Sequence, residues 1–374
     1  MDVRRVLVVG AVPLVMLGGV AAPSQAAPAA GVTVRAESWR EIGLPYLWPR
    51  NRLHDVAATG PRDVWITGHQ GSVPIFSGPL GTIVWTEGNP VVRRWDGARW
   101  HEYPLNGFTG GGRIATVSAH GSEVWISGHD ADGPYAARFD GTAFVQVAPP
   151  SGLYALEIVT GAAGTWLISR EQDVNMGLFR WEGGAFVRQP MPARTHLLTD
   201  VVATAPGEAW AVGSRLVDGV GGVPMAVRWR NGTWKEAPLP GDLGARRLSS
   251  AAATRDGVWA TAGPSDDNVP VTALIRWTGT AWTRVPLPAD TDVRVQRVTA
   301  DGNGAPLLVA ERQVTGFPTV LFRRTGDTWT RLPAPAATVT LQAVTGVPGT
   351  SGIWGVGLKR NGDNQQPVAV TTTP

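Results

Sequence analysis

The sequence predicts an all-β chain: a seven-bladed β-propeller closed by an N-terminal strand that completes the last blade. Three observations predict it. A pair of apolar strands joined by a turn, the second usually carrying Trp, recurs seven times. A hairpin with Gly between two positions five residues apart recurs six times, with aromatics at both positions in five copies and Arg324 at the first in the sixth. The chain also holds 47 Gly, 30 Pro and 17 Trp among 374 residues, with no Cys and only 17% charged residues. That composition excludes a coiled coil, a helical bundle and a charged disordered chain. The absence of Cys excludes a disulfide framework, a Cys-ligated zinc site and a Cys nucleophile.

The first unit reads LHDVAATGPRDVWITG (53–68), IATVSAHGSEVWISG (114–128), ALEIVTGAAGTWLIS (155–169) and LTDVVATAPGEAWAVG (198–213). It continues as LSSAAATRDGVWATAG (248–263), VQRVTADGNGAPLLVA (295–310) and LQAVTGVPGTSGIWGVG (341–357). Its period-2 alternation suits half-buried antiparallel strands. The second unit reads RWDGARW (94–100), RFDGTAF (138–144), RWEGGAF (180–186), RWRNGTW (228–234), RWTGTAW (276–282) and RRTGDTW (323–329). Gly between the aromatics supplies the positive φ of a tight hairpin. An apolar-Pro tail such as VPLP or APLP usually follows.

The two units together give four short strands per blade, the mark of a radially repeated sheet. The outer-strand aromatics are Trp39, Trp100, Phe144, Phe186, Trp234, Trp282 and Trp329. The first of these lies at the opposite end of the chain from the blade it belongs to. AESWREIGLP (36–45) matches GTWKEAPLP (232–240), and the last repeat stops after three strands near 341–346, 353–358 and 366–371. Residues 34–41 therefore supply its fourth strand, which joins the termini and covers an exposed edge. That displaced strand argues against a six-bladed ring with an appendage and against an open solenoid.

The N-terminus has the pattern of a secretory signal. Arg4 and Arg5 precede an uncharged apolar stretch, Val6 to Ala22, and Ser24-Gln25-Ala26 offers small residues for cleavage. The stretch is short for a membrane span and holds Pro13. The expected organisation is a signal peptide at 1–26, a linker at 27–33 and one propeller over 34–374. The expected product is a secreted, extracellular monomer with no membrane attachment after cleavage. Of the 33 basic residues 31 are Arg, yet the net charge is only +3 and no basic run reaches five. Nucleic acid is therefore not an expected partner.

The W-x-G-x-x-W hairpins followed by V-P-x-P, with D-V-W-x-x-G strands, resemble repeats of secreted actinobacterial seven-bladed propeller proteins. More distantly, Asp140-Gly141 followed by Phe144 resembles the Asp-box turn of sialidase-type propellers, without its leading Ser. The units also resemble kelch repeats, without the Gly-Gly doublet. These resemblances imply the architecture and leave the activity open, since such rings serve as enzymes, lectins and scaffolds.

With strands lettered a to d outward, the b–c and d–a loops share one face and vary most, so a site is expected there. The longest excursion runs from His69-Gln70-Gly71 to Gly88-Asn89-Pro90 in blade 1 and carries Phe76 and Trp85. Fifteen of the 17 Trp fill repeat slots; Trp48 and Trp85 do not. Either could be a stacking platform for a sugar or another flat ligand, or could pack within its own loop.

Strand a should line the central channel. The third position of its L-x-D-V pattern gives Asp55, Thr116, Glu157, Asp200, Ser250, Arg297 and Ala343. The fourth position is apolar in every copy and should face the blade sandwich. Asp55, Glu157 and Asp200 could bind Ca²⁺ or Mg²⁺ through oxygen ligands, serve with His54 in acid–base work, or line a hydrated channel neutralised by Arg297. No other cofactor is implied. Arg52, Arg113, Arg247 and Arg294 precede strand a in four blades. They form either an anion-clamping rim or a solvated surface. His69 and His129 follow the same segment in adjacent blades, as a functional pair or as products of duplication. Two functions stay open: a binding or scaffold protein for a glycan or protein ligand, and a hydrolase or lyase at the channel mouth.

Overall fold

The computed structural model describes residues 38–373, except 78–81, 151–153, 171–175, 193–194, 219–220, 265–270 and the single residues 242, 291, 315 and 363. The signal and linker expected at 1–33 lie outside the described residues. Among those described there is no helix, and seven four-stranded antiparallel blades account for the ring. Blade 1 runs Arg52–Gly60, Asp63–Gln70, Asn89–Trp95 and Trp100–Glu102 from the axis outward. Blade 2 carries a fifth strand, Leu105–Asn106, parallel to its outer strand. Each inner strand touches the next around the axis, and the seventh touches the first.

The N-terminal strand closes the ring as its sequence match requires. Arg40–Ile42 forms the outer strand of blade 7, antiparallel to Asn364–Thr371, with Arg40 opposite Thr371 and Ile42 opposite Ala369. The apolar-Pro tails then set each blade against the next. Trp329 Nε1 donates to the Pro286 carbonyl at 3.0 Å, and Trp39 Nε1 to that of Pro333 at 2.7 Å. Trp100 Nε1 donates to Gly43 at 2.9 Å. Gly43 thus does in IGLP what Pro286 does in VPLP.

Tryptophan holds the seams because a bare sheet face needs a partner of matching area. Trp65, Trp125, Trp166, Trp210, Trp259 and Trp354, one per blade on strand b, are all fully buried. Each enters a clamp on strands c and d of the next blade, aromatic on both strands except for Trp259, which meets Arg324 on strand c and Trp329 on strand d. Trp210, for example, meets Trp277 and Trp282 at 4.8 and 5.2 Å between centroids. Trp354 closes the circle against Trp95 and Trp100 of blade 1. Blade 6 has Leu307 in this slot, packed in a cluster that Trp39 flanks.

The clamp has a charged half that the hairpin motif hides. In blades 1, 2 and 4 the Arg before the strand-c aromatic lies over the strand-b Trp of its own blade and pairs with the acid that starts strand b. Arg228 sits 5.4 Å from the Trp210 ring and 2.8 Å from Glu208. Arg94 with Asp63 repeats the ion pair at 2.7 Å, and in blade 6 Arg323 pairs at 2.9 Å with Asp301, which lies before strand b. Arginine is the cation that can stack and fork at once. We expect Trp210→Ala to lower stability by about 3–5 kcal/mol, as for large-to-small aromatic changes in a core; urea unfolding midpoints would check it.

Every inner strand carries a β-bulge near its start. In blade 1 the register jumps between Leu53 and Asp55, leaving His54 as the extra residue. A regular strand puts positions one and four on opposite faces; the bulge puts both inside. Leu53 and Val56, Leu198 and Val201, and Leu248 and Ala251 are accordingly all buried. The Gly of D-V-W-x-x-G sits opposite the bulge. A Cβ on Gly68 would collide with the Arg52 carbonyl.

Candidate functional site

The two tryptophans outside the repeats come to one place. The d–a connection of residues 43–51 and the blade 1 excursion lie side by side on the b–c/d–a face. Gly71 and Gly88, both at positive φ, turn the chain out of strand b and back towards strand c. Between them Pro74–Ser77 and Thr82–Trp85 pair as a small hairpin. Gly71 N–H donates to the Pro49 carbonyl, Trp48 N–H to Gln70 Oε1, and Gly112 N–H to the Gly88 carbonyl. These bonds fasten the excursion to the strand that enters blade 1 and to the approach to blade 2.

A groove of about 1080 Å³ follows this junction, lined by Glu41–Leu47, Arg50, Arg52, His69, Trp85 and Gln365–Val368 among others. Tyr46 is 75% exposed, Trp48 58% and Trp85 43%. The Arg50 guanidinium lies over the Trp85 ring, 3.3 Å from its centroid. Arg50 itself holds φ 57°, a left-handed conformation uncommon for a side-chain-bearing residue. One face of Trp85 is thus already covered by a cation. Arg50 and Tyr46 escaped the sequence reading, although they share the LPYLWPRNR segment with Trp48; a non-repeat aromatic was the signal, and its neighbours carried no periodic mark.

The four arginines of the expected rim share a strand position and differ in their partners. Arg52, Arg113, Arg247 and Arg294 all stand at the same end of their inner strands. Arg52 Nη2 donates to Gln342 Oε1 at 2.6 Å, and Arg113 lies 3.5 Å from Glu87. Arg52 faces His69 across blade 1 as Arg113 faces His129 across blade 2. His69 and His129 therefore hold equivalent repeat positions. The structure brings His69 instead to His54, the bulge residue, with Nε2 of His54 2.9 Å from Nδ1 of His69. Burial lowers the His54 pKa to about 4, helped by His69, Arg52 and Arg113. Burial and Arg113 lower that of His69 as well. Both imidazoles are neutral at pH 7 beside the two arginines.

The channel acids have a different geometry. Asp55 Oδ1 accepts from its neighbour Val56 N–H at 2.8 Å, and Oδ2 from Val117 N–H of blade 2 at 2.9 Å. Asp200 accepts from Ala251 N–H of blade 5 at 2.8 Å, and Ser250 from Val298 N–H of blade 6 at 3.0 Å. In blades 1, 4 and 5 the third position of strand a thus stitches one inner strand to the next. Arg297 does so in reverse, donating to the Gln342 carbonyl at 2.8 Å. Burial raises Asp55 to about 6 and Asp200 to about 7, against the pull of those N–H groups and of Arg297. Glu157 is raised well above its ordinary value by burial and by the charges of Asp200 and Asp55. No group of three or more His, Asp or Glu side chains among the described residues is arranged to hold a metal.

A second groove, of about 1010 Å³, opens on the opposite face against Asp63, Arg94, Glu123 and Arg138. Its charges neutralise one another in the Trp clamps, so the excursion groove is the stronger candidate.

No protein-family model and no curated protein matches the chain. Solved structures do. YCF48 from Cyanidioschyzon merolae aligns with TM-score 0.54 at 16% identity, over 89% of this chain and 98% of that one. YCF48 bound to D1 peptide aligns at 0.56 and 14%, over 90% and 96%. The β-propeller domain of the Trilobed protease from Pyrococcus furiosus aligns at 0.55 and 7%, over 87% and 94%. The chain is a seven-bladed β-propeller. At these identities the likeness concerns the fold alone; the description of the Pyrococcus propeller as an open velcro marks a contrast with the closed seventh blade here.

Proposed function

We propose that this propeller is a secreted binding protein that takes a segment of another protein in the groove between residues 43–51 and the blade 1 excursion. One observation carries the reading: the two tryptophans that the repeats do not use stand exposed on two connections hydrogen-bonded side by side, with an arginine over the ring of one of them. Exposed aromatics and arginine are the residues that dominate protein recognition. A propeller similar in fold was solved with a peptide bound, which supports a peptide-sized ligand. A glycan is the other ligand class on this face, but Arg50 occupies a ring face that a sugar would stack on. The channel carboxylates of the hydrolase or lyase reading are engaged with backbone donors at Asp55 and Asp200. Secretion would follow from cleavage after Ala26, the same processing expected of the secreted actinobacterial propellers that the repeats resemble.

Selection from a random-peptide phage library on the purified propeller tests the reading. Selected peptides should bind wild-type protein and lose at least tenfold in affinity to the Trp48→Ala/Trp85→Ala variant, with its thermal midpoint unchanged. Peptides that bind the variant equally well would place the site elsewhere.

A further inference from the structure

We infer that the groove selects acidic peptides, gripping a carboxylate with Arg50 and Arg52 while the peptide lies extended along the free edge of blade 7. The inference rests on the binding reading above and names its ligand class. The charge balance comes first. Glu41 is paired with Lys359 at 2.6 Å, and Glu87 lies beside Arg113. Among the described residues no carboxylate lies within ion-pair distance of Arg50 or Arg52. The groove is therefore electropositive, with His54 and His69 held neutral partly by that same field.

The presentation of Arg50 comes next. Its guanidinium lies over the Trp85 ring, 3.3 Å from the centroid, and a guanidinium held by that contact keeps N–H donors with which to meet a carboxylate bidentately. A non-glycine residue held at φ 57° on the ligand face is local strain retained by its surroundings. The groove wall favours a peptide over an acidic polysaccharide. Blade 7's third strand runs Asn364–Thr371, but Arg40–Ile42 covers only Ala369–Thr371. Residues 364–368 have no strand on their outer side among the described residues, and Gln365–Val368 line the groove. Pro367 removes one outward donor; Gln365 keeps its own, since N–H groups alternate between the two edges of a strand. An extended chain can pair with such an edge while alternate side chains reach across.

The peptides selected by phage display give the test. Asp or Glu should be enriched at one or more positions. A synthetic selected peptide should lose at least tenfold in affinity when those residues become Asn or Gln, and similarly towards Arg50→Ala. Arg50→Lys should recover only part, because an ammonium cannot fork. Groove-dependent peptides without acids would overturn this inference and leave the binding reading standing. Indifference of acidic peptides to Arg50→Ala, or binding of polygalacturonate and no peptide, would overturn it too. Failure to select any peptide dependent on Trp48 and Trp85 would remove both.

Discussion

Replacing Ile42 by aspartate is expected to lower the stability of the propeller by at least about 3–5 kcal/mol, the range seen when a buried charge is left uncompensated. Ile42 is 6% exposed and packs in one cluster with Leu53, Ile66, Trp354 and Ala369. It is the inward-facing residue of the three-residue strand that joins the start of the chain to its end. A carboxylate there breaks the apolar seam between blades 7 and 1 and also loosens the strand that supplies closure. Its neighbour gives the control. Glu41 is exposed and meets Lys359, so Glu41→Gln should change stability by well under about 1 kcal/mol. Urea unfolding measures the loss. Hydrogen exchange should show Asn364–Thr371 opening first in the Ile42→Asp variant. A midpoint for Ile42→Asp equal to wild type would mean that the ring does not depend on its closing strand.

Glu157→Gln is expected to stabilise the protein at pH 8 and to do little at pH 4. The sign follows from linkage. A carboxyl whose folded pKa lies above its unfolded value binds its proton more tightly in the native state. Its favourable contribution is present below the unfolded pKa and is lost as pH rises through the folded one. Asp55 at about 6, Asp200 at about 7 and Glu157 above its ordinary value all have this sign. Wild-type stability should therefore fall between pH 4 and pH 8, at a cost of order 1.4 kcal/mol per unit of pKa displacement. The amide of Glu157→Gln keeps the shape of the side chain and removes one of three mutually repelling charges, which flattens the slope. Asp55→Asn should act in the opposite direction. Both Asp55 oxygens accept backbone N–H groups, and an amide nitrogen facing one of them leaves a buried donor unmet, at about 1–3 kcal/mol. Unfolding midpoints from pH 4 to 8.5 check both. A Glu157→Gln variant destabilised at pH 8 would mean that the charge is used, as a cation ligand or an acid–base group would use it.

Much of the architecture was legible because it is written as periodicity. The matched strings GTWKEAPLP and AESWREIGLP place a strand across the whole length of the chain, and the paired aromatics count the blades. The buried fourth position of strand a was legible too. What the L-x-D-V pattern concealed was the bulge. Two apolar residues three apart are incompatible with a flat strand, and Leu53 with Val56 is that signature; simple alternation reads past it. The same bulge turns His54 towards His69 in its own blade, where repeat logic had set His69 beside His129.

The sequence by itself determined the ring and its seven-fold count, because each repeat cannot bury its sheet faces alone and only stacking around an axis satisfies them all. The tertiary structure alone decided which side chains meet. Arg50 covers Trp85, and Trp48 lies against the excursion, only because a d–a connection and a b–c excursion are hydrogen-bonded side by side. Asp55 and Asp200 are stitches because the next inner strand offers its N–H at that height. Such encounters depend on the path of loops in space, which no periodic signal along the chain encodes.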